Sequence, residues 1–371
     1  MRNSEKNVVE WLDRNKYNSM NSWKGLTYYQ NYIQILDWMN GAKSLPPPVE
    51  VNLDPVAECN LRCYFCITQR YLRDNRDEVG EMRVLPTDYM LRLVDFLADW
   101  GVRGLCISGG GEPTLHTDLL QVIEYASERM DVALVTNATN LQGDILPLLR
   151  CRWVALSVDA ADANTYRIVK GKNYFQKVIS NIAHVTALRT ETGSKVDFCF
   201  KFLVLPDNQH QIYEACKLAK SLGVQDFHAR PVDFERPDVG GRKLELNIAS
   251  ILAQFEKCHT LENENFHVYT VTHKFSPQFH VKHDFEECLA SPILLPILQD
   301  GNAYVCVEKK MERDFRLGSC YPDPEKIMDW WGGDEHRELV RAVDITQCSR
   351  CVIGQYNQQM GNLDKMCLSF P

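Results

Sequence analysis

The chain has 371 residues, with 41 Lys and Arg against 49 Asp and Glu and a net charge of −8; a length beyond about 300 residues predicts more than one domain. Its 45% hydrophobic and 24% charged residues are ordinary for a soluble globular protein, no run approaches the roughly 20 apolar residues of a membrane span, and the charged N-terminus lacks a signal-peptide core, so a cytoplasmic location without membrane contact is expected. The acidic balance leaves no basic stripe to meet phosphates, which argues against nucleic acid and for a small molecule or a peptide as partner.

In chain order, residues 1–48 read as a helical N-terminal extension in which YYQNYIQILDWMNGAK (28–43) carries an apolar stripe and the prolines at 46–48 end it. Residues 49–235 then alternate between short apolar runs and helix-periodic segments. The runs VEVNLD (49–54), VRGLCIS (102–108), DVALVT (131–136), WVALSV (153–158), VDFCFKFLVL (196–205) and DFHARPV (226–232) predict six strands. Between them, TDYMLRLVDFLADWG (87–101), HTDLLQVIEYASERM (116–130) and NQHQIYEACKLAKSLG (208–223) predict helices. Such alternation implies a parallel sheet wound right-handedly, as an open sheet or as a full or partial barrel. Chemistry in these folds collects at the carboxyl ends of the strands. The loops there are polar, and their convergence would set Cys59, Cys63 and Cys66 beside Glu112, Asn137, Ser157 and Asp159. From residue 236 to 371 the alternation fails: a linker-like stretch (236–245), a helix (246–258), then short strands, turns and scattered cysteines predict a second domain.

The 14 cysteines are many for a reducing compartment, where disulfides rarely persist, and metal binding is the leading explanation. Cys106, Cys151, Cys199 and Cys216 stand singly in apolar or helical stretches and read as packing residues. AECNLRCYFCITQRY (57–71) is different, because it places three cysteines within eight residues. Thiolates select zinc, Cu(I) or iron–sulfur clusters. A structural zinc needs a fourth ligand, and none follows in zinc-finger spacing, whereas a four-iron cluster on three thiolates leaves one iron open to a substrate or cofactor.

Cys-x3-Cys-x2-Cys with an aromatic residue before the last cysteine resembles the signature of the radical S-adenosylmethionine (radical SAM) superfamily, and Cys59, Cys63, Phe65 and Cys66 match each element. Gly110, Gly111 and Glu112 resemble its Gly-Gly-Glu motif, where glycines permit close backbone approach to a ligand and a carboxylate can receive an ammonium group. The resemblance covers about residues 49–235 and implies a partial (β/α)6 TIM-type barrel with a 4Fe–4S cluster on Cys59, Cys63 and Cys66. It further implies that S-adenosylmethionine chelates the open iron and is reductively cleaved to a 5′-deoxyadenosyl radical. Ser157, Asp159 and Asn137 sit where family members hold the ribose and the methionyl carboxylate, and Arg167 either contacts that carboxylate or faces solvent. The electrons would come from a flavodoxin or ferredoxin.

Cys288, Cys306, Cys348 and Cys351 form a second candidate site, with an Asp-Gly hairpin signal at 300–301 before Cys306 and a Cys-x2-Cys pair at the end. Four thiolates can close a cluster or a zinc. The pattern resembles the auxiliary-cluster region of the SPASM/twitch branch, but the later cysteines of the full SPASM form are missing, which implies one auxiliary 4Fe–4S cluster; the layout is similar to that of 2-deoxy-scyllo-inosamine dehydrogenase. Cys320 could donate a hydrogen atom or replace a ligand, Cys367 could replace a ligand, and His273, His280 and His283 read as surface residues because their spacing fits no chelating helix. The expected activity is hydrogen abstraction from a small polar substrate, sugar-like or aminocyclitol-like, with the auxiliary cluster accepting an electron in an oxidation. Peptide crosslinking or epimerisation is the alternative, weakened because 58 residues before Cys59 are too few and too helical for a leader-binding domain. A zinc-bearing binding protein is the remaining reading.

Overall fold

All six apolar runs form strands, and most consecutive residues in them are buried, as a parallel sheet covered on both faces requires. β1 (Glu50–Leu53), β2 (Gly104–Ile107), β3 (Asp131–Thr136), β4 (Trp153–Ser157), β5 (Asp197–Val204) and β6 (Asp226–Pro231) pair in parallel and in chain order. On β5, Phe198, Phe200 and Phe202 are fully buried in the main apolar core, while Cys199, Lys201 and Leu203 point to the opposite face. Cys106 on β2 interacts electrostatically with Lys201 on β5, across two intervening strands. A flat sheet would hold those side chains about 14 Å apart at the usual strand spacing, so the sheet curls around a lumen.

The structure, a computed structural model, describes residues 25, 27–74, 82–232, 245–272, 275, 283–348 and 351–365. The anticipated linker up to residue 244, His273, His280 and Cys367 lie outside the described residues. Beyond the sequence expectation, the parallel pattern runs one strand further: β7 (His267–Thr270) adds beside β6. β8 (Leu294–Ile297) pairs in parallel with β1 on the other side, and β9 (Asn302–Tyr304) and β10 (Arg316–Ser319) extend that edge antiparallel. The ten strands form one sheet in the order β10-β9-β8-β1-β2-β3-β4-β5-β6-β7. The Asp-Gly signal does mark the β8–β9 hairpin: Gly301 has φ +74°, and a side chain there would meet Tyr321 Cβ at 2.3 Å.

The helices are α1 (Tyr29–Met39), α2 (Ile67–Asp74), α3 (Thr87–Trp100), α4 (Leu119–Ser127), α5 (Ala163–Lys170), α6 (Phe175–Thr192), α7 (Ile212–Ser221), α8 (Ile248–His259), the single turn α9 (Ile327–Trp330), α10 (Asp334–Arg341) and α11 (Gly354–Lys365). The alternation predicts α3, α4 and α7; α5 and α6 between β4 and β5 are additions. Helix α1 is tied to the C-terminal segment, where Trp38 Nε1 donates to the Gly332 carbonyl at 2.7 Å and Arg337 Nε donates back to the Trp38 carbonyl at 2.8 Å. Among the described residues no helix is long and apolar enough to cross a membrane.

Candidate active site

The loop from Asp54 to Cys66 leaves the carboxyl end of β1 and runs into α2, so its cysteines stand at the barrel mouth. Cys66 N donates to the Cys63 carbonyl at 3.1 Å, which tightens the loop. Leu61 N points at Cys59 Sγ (3.5 Å) and Gln69 N at Cys66 Sγ (3.4 Å), so backbone donors already face two of the sulfurs. Burial raises the thiol pKa of Cys59 and Cys66 and pushes Cys63 up to about 12. Bare thiolates are disfavoured in such a place, and a cationic metal centre is what would hold them deprotonated.

The loop after β2 locks onto this one. Gly111 N donates to the Val56 carbonyl at 2.9 Å and Glu112 N to the Glu58 carbonyl at 2.8 Å. A Cβ on Gly111 would lie 1.9 Å from the Glu58 carbonyl oxygen, so glycine is required there by the neighbouring backbone. Gln69 Nε2 bridges the two loops, donating to the carbonyls of Ala57 (2.8 Å) and Gly110 (2.9 Å). Glu112 itself is turned inward. Its Oε1 accepts from Thr114 N (3.1 Å), Thr114 Oγ1 (2.6 Å) and Thr136 Oγ1 (2.5 Å), and its Oε2 from Asn137 N (2.7 Å). Burial raises its pKa against the lowering effect of those bonds. The carboxylate thus clamps the β2 loop to the end of β3, and an incoming ammonium would join donors already in place. Asn137 in turn sends its Nδ2 to Asn60 Oδ1 at 2.9 Å and lies 3.9 Å from Cys59 Sγ.

At the end of β4, Ser157 and Asp159 meet a cation the sequence reading did not single out. Lys170, the last residue of α5, forms a buried ion pair with Asp159, each side chain 2% exposed, and Lys170 Nζ donates to Ser157 Oγ at 3.1 Å. Asp159 adopts φ +59°, and its Oδ1 accepts from Leu203 N at 2.6 Å. Burial works to lower the Lys170 pKa, but the charges of Asp159 and Cys63 raise it above the ordinary value. The ammonium lies 5.6 Å from the Phe65 ring centre and interacts electrostatically with Cys59, Cys63 and Cys66. Arg167, one turn earlier, is exposed and donates to Asn164 Oδ1 at 3.3 Å. The only available signal was helical phase: α5 ends in Gly171 (φ +70°), and that end docks on the cysteine loop through Arg62 N to the Lys170 carbonyl at 2.9 Å.

Cys288, Cys306, Cys348 and Cys351 come together on the C-terminal side, and the electrostatic contacts of Cys288 reach Cys351 and Cys348. Burial pushes the Cys288 thiol up to about 12 and Cys351 to about 11, and raises Cys306 and Cys348. Asn357 of α11, fully buried, organises this group: its Oδ1 accepts from Leu289 N (2.7 Å) and Ala290 N (2.6 Å), and its Nδ2 points at Cys351 Sγ (3.6 Å). It stands six residues after Cys351, at one of the positions where the full SPASM spacing has a cysteine. His283 is half-buried, stacked on Phe285, with Nε2 2.9 Å from the Cys348 carbonyl. Cys320 joins neither group. It is fully buried, contacted by Tyr89 Oη at 3.1 Å and directed at the Gly301 carbonyl at 3.2 Å. Cys151 and Cys216 are buried in the main apolar core, whereas Cys106 and Cys199, also buried, lie outside it and interact electrostatically with Lys201. Among the described residues no group of three or more His, Cys, Asp and Glu side chains is gathered to hold a metal ion; thiolates at the corners of an iron–sulfur cube stand farther apart than the roughly 3.8 Å of ligands around one tetrahedral zinc.

A curled parallel sheet with thiols at its mouth and a second thiol group beside it defines an enzyme class, the partial-barrel enzymes built on iron–sulfur chemistry. Residues 55–227, just under half of the chain, match the family model described as "Radical SAM superfamily", and this part of the chain is a radical SAM domain. The family's cofactors are S-adenosylmethionine and 4Fe–4S clusters. Among curated proteins, the "Probable GTP 3',8-cyclase" of Saccharolobus islandicus (strain M.14.25 / Kamchatka #1) is 22% identical over 276 residues, 73% of this chain and 82% of that protein. Among solved structures, Streptococcus suis SuiB bound to precursor peptide SuiA has a TM-score of 0.63 at 18% identity, over 90% of this chain and 75% of that one. Native anSMEcpe with bound AdoMet has a TM-score of 0.56 at 15% identity, over 79% and 83%.

Proposed function

We propose that Cys59, Cys63 and Cys66 hold the 4Fe–4S cluster that binds S-adenosylmethionine, and that Cys288, Cys306, Cys348 and Cys351 hold one auxiliary 4Fe–4S cluster. Three half-buried thiols leave one corner for a ligand, and four leave none. When bound and reduced, the first cluster and S-adenosylmethionine together supply a radical that removes a hydrogen atom from substrate. The protein's part is to fix geometry and charge: Gly111 and Gln69 join the two loops, Asn137 braces Cys59, and Lys170, itself held by Ser157 and Asp159, sets a fixed positive charge beside the thiolates. The aromatic Phe65 shields that charge.

A polar lumen supports the substrate class, since a barrel of this kind would otherwise be filled with branched apolar side chains. Here Lys201 of β5 lies 2.5 Å from His228 of β6, both directed inward. That polar wall is the observation that carries the reading: a small, polar, sugar-like or aminocyclitol-like molecule, oxidised with the auxiliary cluster as electron acceptor. The curated relatives named as GTP cyclases act on a small molecule, which supports the class. The donor of electrons is a flavodoxin or ferredoxin, and the setting is cytoplasmic. Peptide modification is the second reading, favoured by the fold likeness to SuiB, which was solved bound to a precursor peptide.

The test incubates anaerobically reconstituted enzyme with S-adenosylmethionine, dithionite and deuterated candidates. Deuterium arriving in 5′-deoxyadenosine from a sugar or aminocyclitol supports the proposal, and arrival only from peptides overturns it in favour of the second reading. The Cys59→Ala, Cys63→Ala, Cys66→Ala variant is expected to release no 5′-deoxyadenosine; release at the wild-type level would defeat the assignment of that site.

A further inference from the structure

The loop that starts at Cys306 does more than carry a thiol. It turns tightly, with Lys309 N donating to the Cys306 carbonyl at 3.0 Å and Glu308 N to Cys306 Sγ at 3.4 Å. Those turns deliver Lys310 and Met311 to the barrel mouth. Lys310 Nζ pairs with Asp54 Oδ2 at 2.6 Å, and Asp54, only 1% exposed, is the first residue of the loop that leads to Cys59. The same carboxylate accepts from Ser108 Oγ at 2.8 Å, so the ion pair also grips the residue that opens the glycine loop after β2. Met311, held at φ +74°, packs with Ala57, Leu72, Leu298 and Tyr304, and its Cε lies 3.5 Å from the point a Cβ on Gly110 would occupy. Lys310 also interacts electrostatically with Cys66. One short segment therefore touches both thiol groups, the cysteine loop and the glycine loop.

We propose that Lys310 and Met311 are positioning residues through which the Cys288–Cys351 site governs binding of S-adenosylmethionine at the Cys59–Cys66 site. The inference rests on the assignment of those two sites to the two clusters. With the second site filled, Cys306 anchors the loop and Lys310 holds Asp54 and the glycine loop in their binding positions. With it empty, the anchor is lost and the mouth loosens. Coupling between sites requires an element whose arrangement both of them bias, and this loop is such an element.

The experiment measures S-adenosylmethionine affinity by equilibrium dialysis on the anaerobically reconstituted full chain, with iron counted in each sample. Lys310→Ala is expected to keep wild-type iron and to bind at least about fivefold more weakly, the lower end of ordinary coupling, with Lys310→Arg restoring most of the affinity. Met311→Ala leaves the ion pair intact and is expected to weaken binding in the same direction. Cys348→Ser with Cys351→Ser is expected to lose the second site's iron and a comparable factor in affinity, and adding Lys310→Ala to that pair should cost nothing further, since residues on one path are not additive. Wild-type affinity within about twofold in both Lys310→Ala and Met311→Ala overturns the inference, as do penalties that multiply in the combined variant. A wild-type chain that binds no S-adenosylmethionine, or holds no iron at the second site, sinks the underlying assignment as well.

Discussion

Lys170→Met removes one charge from a fully enclosed ion pair, each side chain 2% exposed, and nearly preserves the volume of the side chain. Asp159 would keep Leu203 N at 2.6 Å and Ser157 Oγ at 3.3 Å but lose its counter-charge at a site where both partners are 2% exposed. Removing one member of a buried pair typically costs about 3–5 kcal/mol, because the remaining charge stays desolvated. The two surviving hydrogen bonds place the expected cost near the lower figure, about 3 kcal/mol. The sign with pH follows from the wild-type lysine. Its folded pKa lies above its ordinary value of 10.5, so its contribution is complete below that value and is lost only as pH climbs through the still higher folded one. The penalty should therefore be full at neutral pH.

Urea unfolding of the anaerobic holoprotein, followed by far-ultraviolet circular dichroism at neutral pH, measures the loss. Lys170→Met combined with Asp159→Asn removes both charges and should regain a substantial part of it, because a buried pair replaced as a pair costs less than one broken in half. A loss under about 1 kcal/mol, the range of a solvent-exposed pair, would refute the reasoning, as would a double variant no better than the single one.

Gly111→Ala forces a Cβ to within 1.9 Å of the Glu58 carbonyl oxygen and should cost about 3 kcal/mol or more, with iron lost from the first site in preference to the second when counted after reconstitution. Asn357→Leu strips the buried amides of Leu289 and Ala290 of their acceptor, at about 1–3 kcal/mol each, and should roughly halve the iron while leaving binding of S-adenosylmethionine detectable. Cys320→Ala should retain full iron and 5′-deoxyadenosine release, since its thiol lies in the apolar core and hydrogen-bonds with Tyr89 and the Gly301 carbonyl; loss of either would return it to the active site.

The strands were legible because each is a run of β-branched or apolar residues bounded by turn residues, and the first thiol group because three cysteines in eight residues have few other uses. β7 was not legible: HVYT is four residues long, with too little periodicity to separate it from a turn. Lys170 and Arg167 look alike in sequence, both basic and both in the last turn of α5. Only the docking of that helix end on the Arg62 backbone turns one inward and leaves the other in solvent. Asn357 gave no signal because its role is to cap a segment 67 and 68 residues away. Glu112 was legible as a site residue, but not the four protein donors that converge on it, since they come from two loops.

The least legible feature is also what joins the two thiol groups. β8 pairs with β1 in parallel, with Leu53 opposite Ile297, and Asp54 N donates to the Ile297 carbonyl at 2.9 Å. Parallel strands end on the same side, so the chain leaving β1 toward Cys59 emerges beside the β8–β9 turn, where Leu298 packs with Ala57, and β9 then runs back toward Cys306. No local pattern encodes a pairing between segments more than 240 residues apart. Without β8, β1 would be an open edge with its hydrogen-bonding groups exposed beside the cysteine loop. The C-terminal segment therefore closes the sheet at the strand that carries the first thiols, and the Lys310–Asp54 pair is the side-chain expression of that closure. Any change that unzips β8 from β1 must disturb both thiol groups together, whereas a change in the lumen wall at Lys201 or His228 need disturb neither.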